Sequence, residues 1–194
     1  MNPSLERSLA FAGIDPSESQ VAQLEELGDW LRVEALPAGG IGPSEGPRID
    51  DRHLADSIVY AAAWAVPPRY CWDIGTGAGL PGLVLALLWP LCGFTLVDRS
   101  ARKIDLVRRA ARVVGIEVDT RVASIGSLEG PMEAIVSRAL MPAIALLPHL
   151  RRLLASGGAA VVSGSGVDVP GYEEMPVPAG ILDHRARLLM MRAK

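Results

Sequence analysis

Between Ser17 and Leu36, apolar residues recur every three or four positions, which is the spacing of one helix face. Ser17 itself, with a glutamine three residues on, has the pattern of a capping box at a helix start. A Gly- and Pro-rich loop over residues 37–48 follows. After it, a second helix is predicted to begin at one of two adjacent aspartates and to run to about Trp64. Residues 1–66 are therefore predicted to form a helical extension.

From residue 67 the pattern changes to short apolar strands that alternate with helices. Strands are predicted at Tyr70–Ile74, Phe94–Val97, Ile116–Val122, Ala134–Val136 and Ala159–Val162, and helices at Pro81–Leu88, from Ser100 to Gly115 and from about Pro142 to Leu154. This alternation favours right-handed crossovers and a mostly parallel sheet with helices on both faces. A terminal hairpin is predicted at Ile181–Met191. We expect a single α/β domain, with its core at residues 67–194 and helices before it.

No charged residue occurs between Ile74 and Val97, a stretch long enough to span a bilayer. Pro90 would break a helix there, and the glycines at the start of the stretch are typical of a ligand loop. We interpret the segment as a loop, a buried helix and a buried strand, and we expect no membrane contact.

Composition indicates an ordinary globular protein. The chain has 194 residues, of which 49% are hydrophobic and 21% are charged, and these values exclude a largely disordered chain. Only two cysteines, Cys71 and Cys92, occur, and both lie among apolar neighbours. These two cysteines favour a protein with reduced, buried thiols. The charged residues at positions 6 and 7 argue against a secretion signal. We expect a cytoplasmic location.

The formal net charge of -3 excludes a strongly basic surface over the whole protein, so any contact with RNA must be local. Basic residues do cluster along the helix predicted after Ser100: Arg99, Arg102, Lys103, Arg108, Arg109 and Arg112. A solvated helix face is the default interpretation, and a contact with RNA phosphate is the alternative. His149 and His184 have no partners at metal-ligand spacing, so no metal is predicted.

A glycine loop follows the first predicted strand, with Gly75, Gly77 and Gly79 directly after Asp73-Ile74. Such a loop between a strand and a helix lets a ligand approach the backbone closely. The dinucleotide pattern G-x-G-x-x-G is formally complete over residues 77–82 but lies late after the strand, and the G-K-[ST] of a P-loop is absent. The loop therefore predicts a nucleoside-type ligand.

Two aspartates at the ends of predicted strands narrow the class of nucleoside ligand that the loop predicts. Asp73 followed by G-x-G-x-G resembles the first signature of S-adenosylmethionine-dependent methyltransferases with the Rossmann-like fold, which implies S-adenosyl-L-methionine as the cofactor. Asp98, at the end of the second strand, is placed to accept hydrogen bonds from both ribose hydroxyls, because a carboxylate offers several acceptor sites. The alternative is that both acids only cap the turns that follow them.

Four segments extend the resemblance to one family: RHLADS (52–57), DIGTGAGLPG (73–82), FTLVDRSARKIDLVRRAARVVGI (94–116) and VSRAL (136–140). Together they resemble the glucose-inhibited division protein B family, whose members methylate guanine N7 in the ribosomal RNA of the small subunit. The resemblance covers about residues 50–160. It implies a methyltransferase whose partner is ribosomal RNA or the small ribosomal subunit.

The resemblance also implies roles for individual residues. Gly75 and Leu80 would line the cofactor pocket, and Ile125 and Gly126 lie where the family's backbone meets adenine. Arg138 occupies the position of the family's binding-site arginine.

The residue types around Arg138 allow further expectations. Its planar fork suits paired acceptors, so we expect it to hold a phosphate or the O6 and N7 atoms of guanine, and a salt bridge to a nearby acid such as Glu133 is the alternative. His53 and Asp56 are three residues apart, so they share a helix face and either order a side chain at the substrate mouth or form a plain surface pair. Attack by guanine N7 removes no proton, so no catalytic base is assigned.

Three segments depart from the family. Residues 37–48 replace an Asn-Leu-Thr segment, Ser124-Ile125-Gly126 replace an Arg-Ala-Glu run, and Ser163-Gly164-Ser165 stand where a Lys-Gly pair is expected. Two alternatives therefore stay open: a cofactor-binding but catalytically idle paralogue, and a methyltransferase that acts on a small molecule, which the net negative charge favours.

Overall fold

The computed structural model describes residues 1–164 and 168–194, and a seven-stranded sheet of order β3-β2-β1-β4-β5-β7-β6 lies at its centre. The strands are β1 (Tyr70–Ile74), β2 (Gly93–Asp98), β3 (Asp119–Val122), β4 (Met132–Ser137), β5 (Leu154–Ser163), β6 (Glu173–Met175) and β7 (Leu188–Arg192). Strands β1 to β5 pair in parallel, and β7 runs antiparallel to both β5 and β6. The predicted α/β fold with a mostly parallel sheet is confirmed.

Six α-helices accompany the sheet within the described residues: α1 (Pro3–Phe11), α2 (Glu18–Trp30), α3 (Ala55–Ile58), α4 (Gly82–Leu88), α5 (Ala101–Val113) and α6 (Ala143–Leu153). The capping box at Ser17 forms as predicted, because Ser17 Oγ accepts from the Gln20 backbone and the Gln20 side chain accepts from the Ser17 backbone. Helix α1 was not predicted from the sequence. It begins where the Asn2 side chain accepts from Ser4 N–H.

The second predicted helix is irregular. It forms as a π-helical turn at Ile49–Leu54, then α3, then a 3₁₀ turn at Val59–Ala63. Its residues nevertheless bury an apolar face, since Ile49, Leu54 and Ile58 are completely buried. Burial of these side chains stabilises the segment although its backbone changes from a π-helical to an α-helical to a 3₁₀ hydrogen-bond pattern.

Helices cover both faces of the sheet. Helices α1, α2, α4 and α5 share one hydrophobic cluster with one face, and α6 packs with the other. The uncharged stretch from Ile74 to Val97 forms the end of β1, the glycine loop, α4 and most of β2, as predicted. Within the residues that the structure describes, no helix is long and apolar enough to cross a membrane.

The terminal hairpin differs from the prediction. Its first strand is β6 at Glu173–Met175, so the prediction that both strands lie within Ile181–Met191 is wrong. Two prolines and a glycine follow β6, and they do not continue a strand. Asp183 instead pairs with Arg7 of α1, 2.7 Å away, which places the segment after these breakers against the N-terminal helices.

Candidate active site

The carboxylate of Asp73 organises the glycine loop from within. Its Oδ2 accepts hydrogen bonds from Thr76 Oγ1 at 2.6 Å and from Gly82 N–H at 2.8 Å, where α4 begins. Complete burial raises the pKa of Asp73 to about 6. Its other oxygen, Oδ1, is buried and has no hydrogen-bond partner within the described residues. Asp73 therefore caps the turn, as the alternative reading held, and also leaves one buried acceptor unpaired.

The three loop glycines all have left-handed backbone, but each has different surroundings. At Gly75 (φ +79°) a Cβ would lie 2.6 Å from Leu140 Cδ1, and at Gly79 (φ +98°) it would overlap Leu83 of α4. At Gly77 (φ +61°) the nearest other atom would be 4.0 Å away. Glycine is needed at 75 and 79 for close packing as well as for backbone conformation.

Asp98 ties the end of β2 to the loop. Its Oδ2 accepts from Gly77 N–H at 3.1 Å, and its Oδ1 accepts from Ser100 N–H at 2.9 Å, ahead of α5. The Lys103 ammonium lies 3.9 Å from Oδ2. A carboxylate has about four acceptor positions, so these two hydrogen bonds leave capacity for further donors.

A cleft of about 340 Å³ opens at the carboxyl ends of β1 to β4, and we call it the first cleft. Its lining consists of Ile74, Gly75, Asp98, Arg99, Lys103, Ala123, Ser124, Ile125, Ala139, Leu140 and Met141. Ligands of open α/β sheets bind at this edge, and the volume lies within the range of small-molecule sites.

The first cleft brings together some of the predicted cofactor residues and not others. Gly75, Asp98 and Ile125 line it, and Asp73, Gly77 and Gly79 shape the loop beside it. Leu80 is buried in the hydrophobic core, and Gly126 lies exposed at the surface, so neither belongs to the lining. Arg138 is also outside this lining, although the three residues after it are part of it.

Arg138 lies instead in a second cleft, also of about 340 Å³. This second cleft is lined by Arg52, His53, Asp56, Val59, Tyr60, Arg138, Ala139, Ser163, Gly164 and residues 184–188. The two clefts meet at Ala139, which has a φ of +54° and is the one non-glycine residue with positive φ in the described chain. Ser163 Oγ accepts from Ala139 N–H at 2.9 Å and holds it there.

His53 anchors the Arg138 guanidinium. Nη1 of Arg138 donates to the His53 carbonyl at 3.3 Å, and Nη2 lies 3.2 Å from His53 Nδ1. Burial, with a smaller effect of Arg138, lowers the pKa of His53 to about 4, so the imidazole is neutral at pH 7. Its Nδ1 then accepts from Arg138, and its Nε2–H donates to Glu45, 3.2 Å away.

The alternative salt bridge between Arg138 and Glu133 does not form. Glu133 accepts instead from the backbone N–H groups of Arg69 and Tyr70.

Asp56 lies in the second cleft together with His53, but it has a different partner. His184 Nε2 lies 2.9 Å from Asp56 Oδ1, and burial raises the pKa of Asp56. The prediction that His53 and Asp56 border one site is consistent with their common place in this lining. They are not a surface pair of one regular helix, since His53 belongs to a π-helical turn.

Two groups of residues at the clefts were not predicted from the sequence. Leu140 and Met141 follow β4, and the rule that ligands bind at strand carboxyl ends would have predicted them. His184 and Glu45 carry no sequence signal: the C-terminal segment brings His184 to the second cleft, and the loop after α2 brings Glu45 into contact with His53.

The basic cluster is partly occupied by contacts within the protein. Arg109 pairs with Glu34 and Asp105, and Arg108 donates to Thr120 Oγ1. Arg99 and Lys103 lie at the first cleft. In the described part of the chain, no group of three or more His, Cys, Asp or Glu side chains is placed to hold a metal ion.

Comparisons with known proteins agree on one family. The GidB family, described as rRNA small subunit methyltransferase G, matches residues 20–165. The ribosomal RNA small subunit methyltransferase G of Methylococcus capsulatus is 32% identical over 192 residues, which cover 95% of this chain and 90% of that protein. The protein of the same name from Francisella philomiragia is 29% identical over 210 residues and covers 100% of this chain and 98% of its own.

Solved structures agree on the fold. The ribosomal protein L11 methylase of Lactobacillus delbrueckii subsp. bulgaricus matches with a TM-score of 0.56 and 18% identity, over 74% of this chain and 79% of that chain. At this identity the likeness establishes the architecture alone, a Rossmann-like methyltransferase fold preceded here by helices.

Proposed function

The chain belongs to the GidB family, rRNA small subunit methyltransferase G, and from that premise we propose that it transfers a methyl group from S-adenosyl-L-methionine to ribosomal RNA of the small subunit, with guanine N7 as the acceptor. The observation that carries the proposal is the pair of adjoining clefts, one at the glycine loop and one around Arg138. A cofactor and a nucleobase can occupy adjoining sites and react where the sites meet.

The first cleft fits the cofactor. Asp98 keeps free acceptor capacity for the ribose hydroxyls, and the Gly75 backbone forms the cleft wall without a side chain. The unpaired buried Oδ1 of Asp73 lies at the end of β1, directly before the glycine loop, and Asp73 itself does not line the first cleft. Ile125 supports the expected backbone contact with adenine. Leu80 and Gly126 remain predictions from the family resemblance.

Methyl transfer to N7 is an in-line displacement, so positioning supplies much of the catalysis. The bound cofactor provides a methyl group on a positively charged sulfur, and guanine N7 attacks with a lone pair, so no side chain needs to remove a proton. The paired O6 and N7 contact expected of Arg138 cannot exist in the reacting complex, because a hydrogen bond to N7 would occupy that lone pair. Arg138 is left with O6 or a phosphate, and its place in the second cleft favours the substrate over the cofactor.

The remaining expectations follow from the substrate. A ribosomal partner and two buried free thiols favour a cytoplasmic location. Contact with RNA phosphates is assigned to the basic residues close to the first cleft, Arg99 and Lys103. Neither bond making nor proton transfer in this reaction requires a metal, so we continue to predict none.

The replacement of the expected Lys-Gly pair does not by itself argue for an idle protein. Ser163 holds the backbone at the junction of the two clefts, and Gly164 lines the second cleft, while Ser165 lies outside the described residues.

A tritiated-methyl assay tests the function. The protein is incubated with 30S particles, with naked ribosomal RNA and with a small-molecule extract, and labelled RNA is cleaved at N7-methylguanosine by borohydride and aniline. Label at one guanine of the small-subunit RNA is expected. Label only in the small-molecule fraction would replace this proposal with the alternative substrate class, and no label anywhere would favour an idle paralogue.

The cofactor has an independent test. S-adenosylmethionine or its demethylated product should raise the melting temperature, because a ligand that binds only the folded state stabilises it, and NAD should not. A shift with NAD alone would overturn the assignment.

A further inference from the structure

The second cleft contains a carboxylate, Asp56, that is not part of the lining of the first cleft. The side chain of Asp56 is 17% exposed, and its Oδ1 lies 2.9 Å from His184 Nε2. Oδ1 is buried and has no hydrogen-bond partner in the described part of the chain, so His184 is a close charged or polar neighbour of it, and the exposure of the carboxylate lies on Oδ2. Arg52, Arg138 and His184 lie near it and favour its charged form, although burial has the larger effect and raises its pKa, and Asp56 lines the wall of the second cleft.

Guanine is the nucleobase that matches such a group. Its Watson–Crick edge presents two adjacent donors, N1–H and the N2 amino group, whereas the other three bases present a donor next to an acceptor. A carboxylate accepts both donors and offers none itself. Because N7 lies on the opposite edge of the purine, a protein that reads the Watson–Crick edge leaves the N7 lone pair free.

We propose that the second cleft holds the target guanine and that Asp56 reads its N1–H and N2 amino group, with His184 as the residue that positions Asp56. The proposal rests on the proposed function and specifies its substrate site. The base must leave its stack to reach such a cleft, as it does in other enzymes that modify bases. Ala139, which lines both clefts, marks where N7 meets the methyl group.

The contact also helps the chemistry. As the N7 lone pair forms the bond to the methyl carbon, the carbon–sulfur bond breaks and its electron pair stays on sulfur. Positive charge therefore moves from sulfur to the purine, and no proton leaves. A purine that gains positive charge is a stronger donor at N1–H, so its hydrogen bond to Asp56 strengthens in the transition state.

Inosine provides an atomic test, because it lacks only the N2 amino group and keeps N7. Small subunits are reconstituted around ligated ribosomal RNA that carries guanosine or inosine at the methylated position, and kcat/KM is measured for each. Wild-type protein should prefer guanosine by about ten- to a hundredfold, the effect of one hydrogen bond to a charged group. This comparison needs no variant, so it stands even where a substitution impairs folding.

Asp56→Asn should lower transfer to guanosine and reduce the preference for guanosine over inosine to about twofold or less, because the amide oxygen turns to His184 and its NH₂ faces the guanine donors. Asp183→Asn is the matched control. Asp183 pairs with Arg7 next to His184 but lies outside both clefts, so this variant should keep the wild-type preference. Affinity for S-adenosylhomocysteine should be unchanged in both variants.

Four results would overturn the inference. Equal methylation of guanosine and inosine by wild-type protein refutes the contact while leaving the proposed function intact. An unchanged preference in Asp56→Asn, or an equal loss of preference in Asp183→Asn, refutes the role of Asp56. Absence of any ribosomal RNA methylation refutes the proposed function and the inference with it.

Discussion

Gly75→Ala tests how the loop after β4 closes over the glycine loop. A residue with a Cβ costs about 1–2 kcal/mol in the left-handed conformation that Gly75 adopts (φ +79°). The new Cβ would also lie 2.6 Å from Leu140 Cδ1 and 3.0 Å from Leu140 Cγ, so Leu140 must leave its rotamer, at roughly 1 kcal/mol. We expect the free energy of unfolding to fall by about 2–3 kcal/mol.

Gly77→Ala provides the matched control for Gly75→Ala. It requires the same kind of backbone (φ +61°), but its Cβ would have no neighbour nearer than 4.0 Å, so the loss should be about 1–2 kcal/mol. In a Leu140→Ala background, Gly75→Ala should cost about 1–2 kcal/mol, close to the cost of Gly77→Ala, because Leu140 Cγ and Cδ1 are gone and only the Cβ of residue 140 remains at 3.0 Å. Urea unfolding measures the three single variants and the double variant. Equal losses for Gly75→Ala and Gly77→Ala would refute the assigned contact with Leu140.

The same substitution should affect the ligand, since Gly75 and Leu140 both line the first cleft. Calorimetry with S-adenosylhomocysteine should show binding at least about tenfold weaker for Gly75→Ala, which corresponds to 1.4 kcal/mol, and no binding for Gly75→Val. A folded Gly75→Val that binds normally would show that the first cleft is not the cofactor site.

Three further predictions concern Asp98 and Arg138, which line the two clefts, and Asp73, which lies before the glycine loop. Asp98→Ala should weaken S-adenosylhomocysteine binding by about 1–3 kcal/mol in calorimetry, because ribose hydroxyls and two backbone N–H groups lose their acceptor. Arg138→Ala should reduce transition-state stabilisation of methyl transfer by about 1–3 kcal/mol while changing cofactor affinity less. Arg138→Lys should restore little activity, since an ammonium cannot donate to both His53 acceptors as the guanidinium does. Burial raises the pKa of Asp73 to about 6, so the folded state binds the proton more tightly than the unfolded state does. The free energy of unfolding should therefore fall by up to about 3 kcal/mol as pH rises from about 4 to 6. Asp73→Asn should remove this fall, which urea unfolding at both pH values measures.

The parallel core was predictable because each of its elements is locally encoded. An apolar strand, a glycine turn and an amphipathic helix each have their own sequence signal, and right-handed crossovers then restrict their order. The tail has a misleading local signal. Ile181 and Leu182 are typical of a strand, but the neighbouring Asp183 forms an ion pair with Arg7 of α1, and this contact helps to position the segment against the N-terminal helices. Contacts between the two ends of a chain have no sequence periodicity.

The two clefts differ in the same respect. The glycine loop and Asp98 belong to one continuous βαβ segment, so their roles follow from local pattern and the resemblance. The second cleft is assembled from the π-helical turn that holds His53, the loop after β4 and the C-terminal segment that holds His184. Arg138 and His53 were each predicted from the sequence, but the contact of His53 Nδ1 with the Arg138 guanidinium arises only in the folded protein.

Ala139 explains why the departure after β5 is compatible with a working site. A non-glycine residue with φ of +54° is strained, at a cost of order 1–3 kcal/mol, and it persists only where its surroundings hold it. Here Ala139 is held by the hydrogen bond that its N–H donates to Ser163 Oγ. Ser163 stands at the position where the family resemblance predicts a lysine. Reaction at N7 demands geometry rather than a proton acceptor, so a serine that fixes the junction of the two clefts serves that demand directly. On this argument Ser163→Ala should lower kcat for methyl transfer with little change in the affinity for S-adenosylhomocysteine, and a loss confined to that affinity would contradict it.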